Sequence, residues 1–455
     1  MFTNISDRIA DNAPMLGYGI AVADLDGVGR LAFFVAGFGC ANRVLAWDGE
    51  QLVDGFDRLL ASPERKSIGV AAGDIDGDGL EEVYVLNTDT FAGPKRFGDN
   101  LFSFRQGTWT DIFSFPENQG EGNTSAGRSV CCIDRQGGGR YGFAVANYGG
   151  AIKLYESDGH DRLRDGAPDA GIDWVTGGRA VVALPLVSPP GTIDLFFANE
   201  NGANLLFVPD GAGGFHEVAE EMGLADPYEH ARGVAILDAD GNGRFDLAIG
   251  NWQGENRLFL QAPVGGFLDA ATPEMSRPIA VRNVIAADFD NDGYEELFFN
   301  NIGEPNRLFG LREGAWVRLP IGDAAEPGGL GTGAAIADID QDGRLELLVS
   351  HGESEPQPLS LYRAGTAGNS WLRVQPLTHA GAPARGAIVT LTAPDRVQRR
   401  VIDSGSGYLC QMEPVAHFGL GASSAIEFVE IVWPGGATAR IEAPAANQVL
   451  RVPAP

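Results

Sequence analysis

Five acidic, glycine-rich stretches stand in a fixed register along this chain. They are DLDGVGRLA from Asp24, DIDGDGLEE from Asp74, DADGNGRFD from Asp238, DFDNDGYEE from Asp288 and DIDQDGRLE from Asp338. Asp24 and Asp74 are 50 residues apart, and so are Asp238, Asp288 and Asp338 in turn. A fixed period of about 20–50 residues marks a repeat architecture. The longer gap from Asp74 to Asp238 has room for two more units with short insertions. Strand-like runs interrupted at 135–140 and at 188–192 supply them, with turns that have lost their acids. The chain thus reads as seven units, four of which keep a full acidic set.

One unit shows the local structure. In the fifth, GVAIL (233–237) runs into the acidic loop and FDLAIGN (245–251) leaves it. NRLFLQ (256–261) and GFLDA (266–270) follow after glycine-containing turns. Four short strands per unit at this period describe a blade of a β-propeller. The seventh unit lacks a fourth strand of its own. The N-terminal segment 2–9 resembles the fourth strands elsewhere and is expected to complete the last blade, hiding an exposed sheet edge. The expected fold is therefore all-β: a seven-bladed propeller over residues 1–367, then a small β-sandwich-like domain over 368–455. In that second part, segments 371–377, 386–392, 399–403, 426–433 and 439–441 alternate apolar and polar residues, as half-buried strands do.

The loops carry the chemistry. Side-chain oxygens at positions 1, 3, 5 and 9, with glycines where the backbone turns sharply, make an oxygen cage for a hard cation, and calcium tolerates the irregular geometry best. The expected side-chain ligands are Asp74, Asp76, Asp78 and Glu82; Asp238, Asp240, Asn242 and Asp246; Asp288, Asp290, Asp292 and Glu296; and Asp338, Asp340, Asp342 and Glu346. At position 7, Leu80, Arg244, Tyr294 and Arg344 vary freely, as expected if only their carbonyls are used. That gives about four Ca²⁺ sites. The neutral Asn242 makes its site the weaker one. Val28 and Ala32 replace acids in the first loop, which is expected to be empty or weak. No helix flanks these loops and the last acid falls at position 9 rather than 12, so an EF-hand does not fit.

Composition bounds the function. Across 455 residues the formal net charge is −28, which argues against nucleic acid as a partner. No run of about 18 apolar residues is present to span a membrane. The N-terminal MFTNISDRIADNAP has neither the basic nor the apolar region of a signal peptide. Cys40, Cys131, Cys132 and Cys410 are too few and too scattered for a disulfide framework or a zinc site. They read as core or edge thiols, with Cys131 and Cys132 pointing to opposite faces of one strand.

A second pattern emerges when the units are aligned. Six residues before the first loop acid stand Arg128, Arg232 and Arg282, with Arg179 at the matching place in unit four; the other units have Tyr18, Ile68 and Thr332. First strands of blades line the central channel. These arginines are therefore expected to cluster at its mouth, about 20 Å from the acidic loops, unless each pairs with a neighbouring carboxylate. Convergent guanidiniums would bind a carboxylate, phosphate or sulfate bidentately.

Three sequence features resemble a known family. The acidic loops are similar to FG-GAP/VCBS repeats of integrin α-chain propellers, and Gly37-Phe38-Gly39 carries an F-G pair. GYLCQMEPVAHFGLG (407–421) followed by VEIVWPGG (429–436) resembles the ASPIC/UnbV domain. The combination resembles the cartilage acidic protein family in a bacterial-type member. That resemblance implies a calcium-binding, usually extracellular protein with no defined reaction. The expected function is a non-enzymatic interaction or adhesion module, monomeric, extracellular or periplasmic, whose partner is a protein or an acidic glycan. The alternative is an enzyme or small-anion receptor using the arginine-lined mouth. No catalytic set assembles around Ser404, Ser406 or His417, which read as turn residues and a hydrogen-bonded structural histidine.

Overall fold

A computed structural model describes residues 1–55, 57–159 and 161–455. Its innermost strands are Gly17–Ala23, Ser67–Gly73, Gly127–Ile133, Val175–Leu184, Ala231–Leu237, Val281–Ala287 and Gly331–Ala337. Each packs against the next, and the last packs against the first, so seven blades close into a ring. The fifth blade continues outward through Asp246–Asn251, Arg257–Gln261 and Phe267–Asp269, all antiparallel. The third and fourth blades also join to each other, through pairing of Tyr148–Ala151 with Val175–Gly177. In the last blade Phe2–Asn4 pairs antiparallel with Ser360–Ala364, and Phe2 packs edge-on against Phe289 at 4.9 Å.

The apolar faces of successive sheets interdigitate to form the core between blades. Cys131 and Cys132 show the alternation directly: one faces the fourth blade beside Phe197, the other the second beside Tyr84. All four cysteines are free.

Every inner strand carries a register shift near its start. The extra residue is Arg128, Arg179, Arg232, Arg282, Ile68 or Thr332, and in the first blade the shift spans Tyr18 and Gly19. A β-bulge re-aims the side chain at the inserted residue. Here it turns the same position of six blades toward one end of the channel, while Thr332 of the seventh bonds the Gly17 and Ser350 carbonyls instead.

Residues 370–453 form two sheets. Ser370–Leu377 lies between Ala416–Gly421 and, in parallel, Val449–Pro453. The second sheet orders Val397–Val401, Ile388–Thr392, Phe428–Val432 and Thr438–Glu442. Leu372, Val374, Leu391, Phe418, Val429, Ile431 and Trp433 fill the space between them. This domain sits on the end of the ring that bears the acidic loops, and it reaches all seven: Arg451 bonds Gly29, Arg385 bonds Glu81, Gly435 abuts Gly137 and bonds Gly191, Arg399 bonds Gly243, Gly419 bonds Asp288, and Arg373 pairs with Asp338.

From this domain, residues 404–412 pass into the channel and plug it. The plug satisfies backbone groups that the inner strands leave facing the axis. Leu409 accepts from Val70 N–H (3.1 Å), Gly407 exchanges two bonds with Val234 (3.1 and 2.7 Å), and Gln411 accepts from Val22 N–H (3.1 Å). The Gln411 amide both accepts from and donates to Ala72 (2.7 and 2.9 Å). At the base of the plug Arg385, 1% exposed, pairs with Glu81 and donates to the carbonyls of Val22, Asp403 and Met412.

Replacing Arg385 by Met would leave Glu81 as an unpaired buried carboxylate and undo the staple between ring and cap. Such a loss costs about 3–5 kcal/mol. The denaturant midpoint should fall accordingly, while Glu81→Gln combined with Arg385→Met should recover a large part of the loss.

Candidate metal loops and an arginine-lined channel mouth

In each intact loop the position-1 acid directly follows the inner strand, and the position-9 acid opens the next one. One carboxylate oxygen at position 1 accepts from the glycine at position 6: Gly79 to Asp74 (3.0 Å), and Gly243 to Asp238, Gly293 to Asp288 and Gly343 to Asp338 (2.9 Å each). Those glycines have φ between 81° and 96°, a left-handed conformation that strains any side chain. The position-9 acid accepts from the position-2 N–H: Ile75 to Glu82, Ala239 to Asp246, Phe289 to Glu296 and Ile339 to Glu346, at 2.8–3.1 Å. Position 5 accepts from position 7, so Leu80, Arg244, Tyr294 and Arg344 are tied through their N–H groups to Asp78, Asn242, Asp292 and Asp342.

This frame gathers carboxylates. Ligand atoms lie within 4.8 Å of one another in four groups: Asp74, Asp76 and Asp78; Asp238, Asp240 and Asp246; Asp288, Asp290 and Glu296; Asp338, Asp340 and Glu346. These all-oxygen sets are positioned to hold a hard metal ion. Asp238 Oδ1 and Asp340 Oδ1 are buried with no hydrogen-bond partner, a costly state that a cation would relieve.

Burial first, and neighbouring carboxylates second, push these groups up: Asp74, Asp246 and Asp288 to about 7, Asp338 to about 6, Glu346 to about 8 and Glu296 to about 9. Arginines partly offset the charge: Arg344 pairs with Asp342 within its own loop, Arg373 reaches Asp338 from the C-terminal domain, and three more stand in the blades, announced by nothing in the loop motif. Arg105 pairs with Asp76, Arg312 with Asp290, Asp292 and Glu296, and Arg363 with Asp340 and Glu346. Each stands on the third strand of its blade, which is the only signal the sequence offers.

The fourth loop meets the same problem with neutral donors, and the first does so only in part, since Asp24 Oδ1 stays buried without a hydrogen-bond partner. In the fourth blade the surviving acid, Asp194, accepts from the N–H groups of Leu186, Val187 and Ser188 at 2.8–3.0 Å and from the Ser188 hydroxyl. In the first, Asp24 accepts from Gly29 (2.7 Å) and Asp26 pairs with Arg30 (3.7 Å).

His417 is buried against the sixth loop. Its Nε2 meets Asn291 Oδ1 at 2.6 Å, but Nδ1 has no partner, so only half of the expected hydrogen bonding is present. Burial, with Arg373 and Arg400 nearby, keeps the ring neutral.

At the opposite end of the channel Arg128, Arg179, Arg232 and Arg282 line one cavity of about 460 Å³, together with Tyr18, Phe38, Phe91, Glu200, Trp252, Glu353 and, from the plug, Tyr408 and Leu409. Pairing is partial. Glu200 bridges Arg179 and Arg232, and Glu353 meets Arg282 at 2.8 Å. Arg128 is held instead by the carbonyls of Thr90 and Phe91. Trp252 lies between Arg232 and Arg282, 5.5 and 4.4 Å from its ring centre. Burial acts to raise the Tyr408 phenol, yet the four guanidiniums bring it below its ordinary value.

Comparison with known proteins adds three findings. Residues 378–455 match the ASPIC and UnbV family model, and residues 238–299 match the FG-GAP-like repeat. Cartilage acidic protein 1 of Xenopus tropicalis is 45% identical across 96% of this chain and 74% of its own length; the Homo sapiens protein is 45% identical across 96% and 72%. Among solved structures, BBS1N in complex with ARL6DN aligns at a TM-score of 0.48 and 12% identity, covering 81% of this chain and 97% of that one.

The raised carboxylates fix the sign of a pH effect. Each takes up protons more readily folded than in an unfolded chain, where carboxyls titrate near ~4. Stability of the metal-free protein should therefore fall as pH rises from about 5 to about 8. Melting midpoints measured in chelator across that range test this, and a flat or rising profile contradicts it.

Proposed function

The chain belongs to the family of cartilage acidic protein 1, and on that premise we propose that it is a calcium-binding β-propeller acting as a non-enzymatic interaction module outside the cell. The observation that carries this reading is the four carboxylate clusters in one register, each built on the same hydrogen-bonded frame. Calcium takes six to eight oxygens in flexible geometry. The side chains at positions 1, 3, 5 and 9 would hold it, joined by the carbonyls of Leu80, Arg244, Tyr294 and Arg344. The ion supplies positive charge where acids are buried; no redox or Lewis-acid step is asked of it.

Sites of this kind in extracellular modules bind at about 10⁻⁴–10⁻³ M, which suits a calcium-rich surrounding. The family relationship supports the extracellular assignment. We take the chain as a monomer of two units, 1–367 and 368–455, that recognises a protein or an acidic glycan.

Thermal unfolding in EDTA, followed by calcium added back, tests the reading. At millimolar calcium, about one to ten times such a dissociation constant, each site adds about 0.4–1.4 kcal/mol. The midpoint should rise by several degrees at millimolar calcium, and by less at the same magnesium concentration. An unchanged midpoint would overturn the proposal.

A further inference from the structure

The channel mouth has the makings of a second binding site, remote from the acidic loops. Four guanidiniums face two contacting carboxylates, Glu200 and Glu353, while Asp89, a third carboxylate of the lining, is paired with Arg96; two positive charges are thus left over among arginines that are themselves buried. The Nε atoms of Arg128, Arg232 and Arg282 are buried and donate to nothing. A buried donor without an acceptor carries a desolvation cost, and an oxyanion entering the cavity would remove it. Burial and like-charge neighbours already hold Arg128 and Arg232 below the usual guanidinium range.

The walls add a second requirement. Trp252, Tyr18 and Phe38 line the cavity, and Phe91, 65% exposed, stands at its rim. Flat aromatic surfaces beside convergent charge suit an anion carried on a ring, more than a bare inorganic ion. A volume of about 460 Å³ is in the range of small-ligand pockets. The chain's net charge of −28 disfavours a long polyanion lying across its surface. What the mouth admits is the tip of such a molecule.

We propose that the arginine-lined mouth binds the terminal acidic sugar of a glycan, through a uronate carboxylate or a sulfate ester, with Tyr408 of the C-terminal domain as its floor. This rests on the reading of the chain as an interaction module but not on any ion in the loops. The site is composite. The bulges of the third to sixth blades aim the arginines, and the plug, Gly407 and Leu409 at φ of 74° and 66°, presents Tyr408 from below. The C-terminal domain thereby gains a role in recognition as well as in capping. Glu353 occupies Arg282 as an internal competitor, half exposed on a turn with φ of 70°.

Titration calorimetry on the full chain at low salt, with calcium present, tests the site. The probes are glucuronate, N-acetylglucosamine 6-sulfate, neutral N-acetylglucosamine, inorganic sulfate and a short peptide with an acidic C-terminus. The acidic sugars should bind about tenfold tighter than inorganic sulfate, and the neutral sugar should not bind. One of the two acidic sugars binding alone identifies the group the mouth prefers. Arg282→Gln should weaken binding at least tenfold, roughly the worth of a charge-assisted pair. Glu353→Gln should strengthen it, an outcome that misfolding cannot imitate. Trp252→Ala should weaken the sugars while sparing inorganic sulfate. Equal binding of neutral and acidic sugars, no binding by any probe, or unchanged affinity in Arg282→Gln would overturn the proposal, as would preference for an acidic peptide terminus. Calcium-dependent melting measured on the same samples separates failure here from failure of the calcium reading.

Discussion

Negative charge placed inside hairpins is the constraint that this fold is built to meet. Each intact loop puts several carboxylates within a few ångströms, at the end of a buried strand, where water screens them only in part. Backbone N–H groups absorb part of the load through the bonds from glycine and from position 2. Arg105, Arg312 and Arg363 reach in from the same blades, and Arg373 and Arg400 come from the cap to Asp338 and Glu295. The fourth blade shows the alternative. With one acid left, four neutral donors suffice, and the loop needs nothing further. Loss of the acids there is therefore a change of strategy within one hairpin geometry, not decay of the repeat.

The cap follows from the same constraint. A domain that docks on acidic loops must bring cations and N–H groups, and this one brings them to the loops of six blades, meeting the third through the Gly435 backbone at Gly137. Having docked, it also fills the axis. A seven-bladed ring leaves backbone groups of its inner strands facing a channel, and the plug pairs them as an additional strand would, with the Gln411 amide standing in for a peptide. Ring and cap thus share hydrogen bonds along the whole axis.

Much of this was legible in the sequence, for reasons that differ by feature. The 50-residue spacing and the alternation of short strands gave away the blades, because a repeat records its architecture in its period. The acids of the loops were legible because each sits at a fixed place in a turn. The four arginines could be aligned as a column, but the bulge that turns them toward one cavity depends on cross-strand register, which a single strand does not encode. The three loop arginines stand at different distances from their acids, so no spacing betrays them. Residues 404–412 carry no alternation and no partner strand of their own. Their partners lie far away in the sequence, on the inner strands of several blades, and that kind of pairing leaves no local trace. The parallel strand Val449–Pro453 escaped for the same reason: it borrows its register from Ser370–Leu377.

The pairing of Phe2 with Ala364 sets an order of events for a chain made from its N-terminus. The first strand must wait, unpaired, until the last blade has left the ribosome. At about 5–20 residues per second, that is an interval of tens of seconds. Six blades can stack in sequence during synthesis, each against its predecessor, but the seam between last and first stays open throughout. Both of its faces are apolar, Phe2 among them. The vulnerable moment in the life of this protein is thus the end of its synthesis, when two sheet edges more than three hundred residues apart have to find each other before they find another chain.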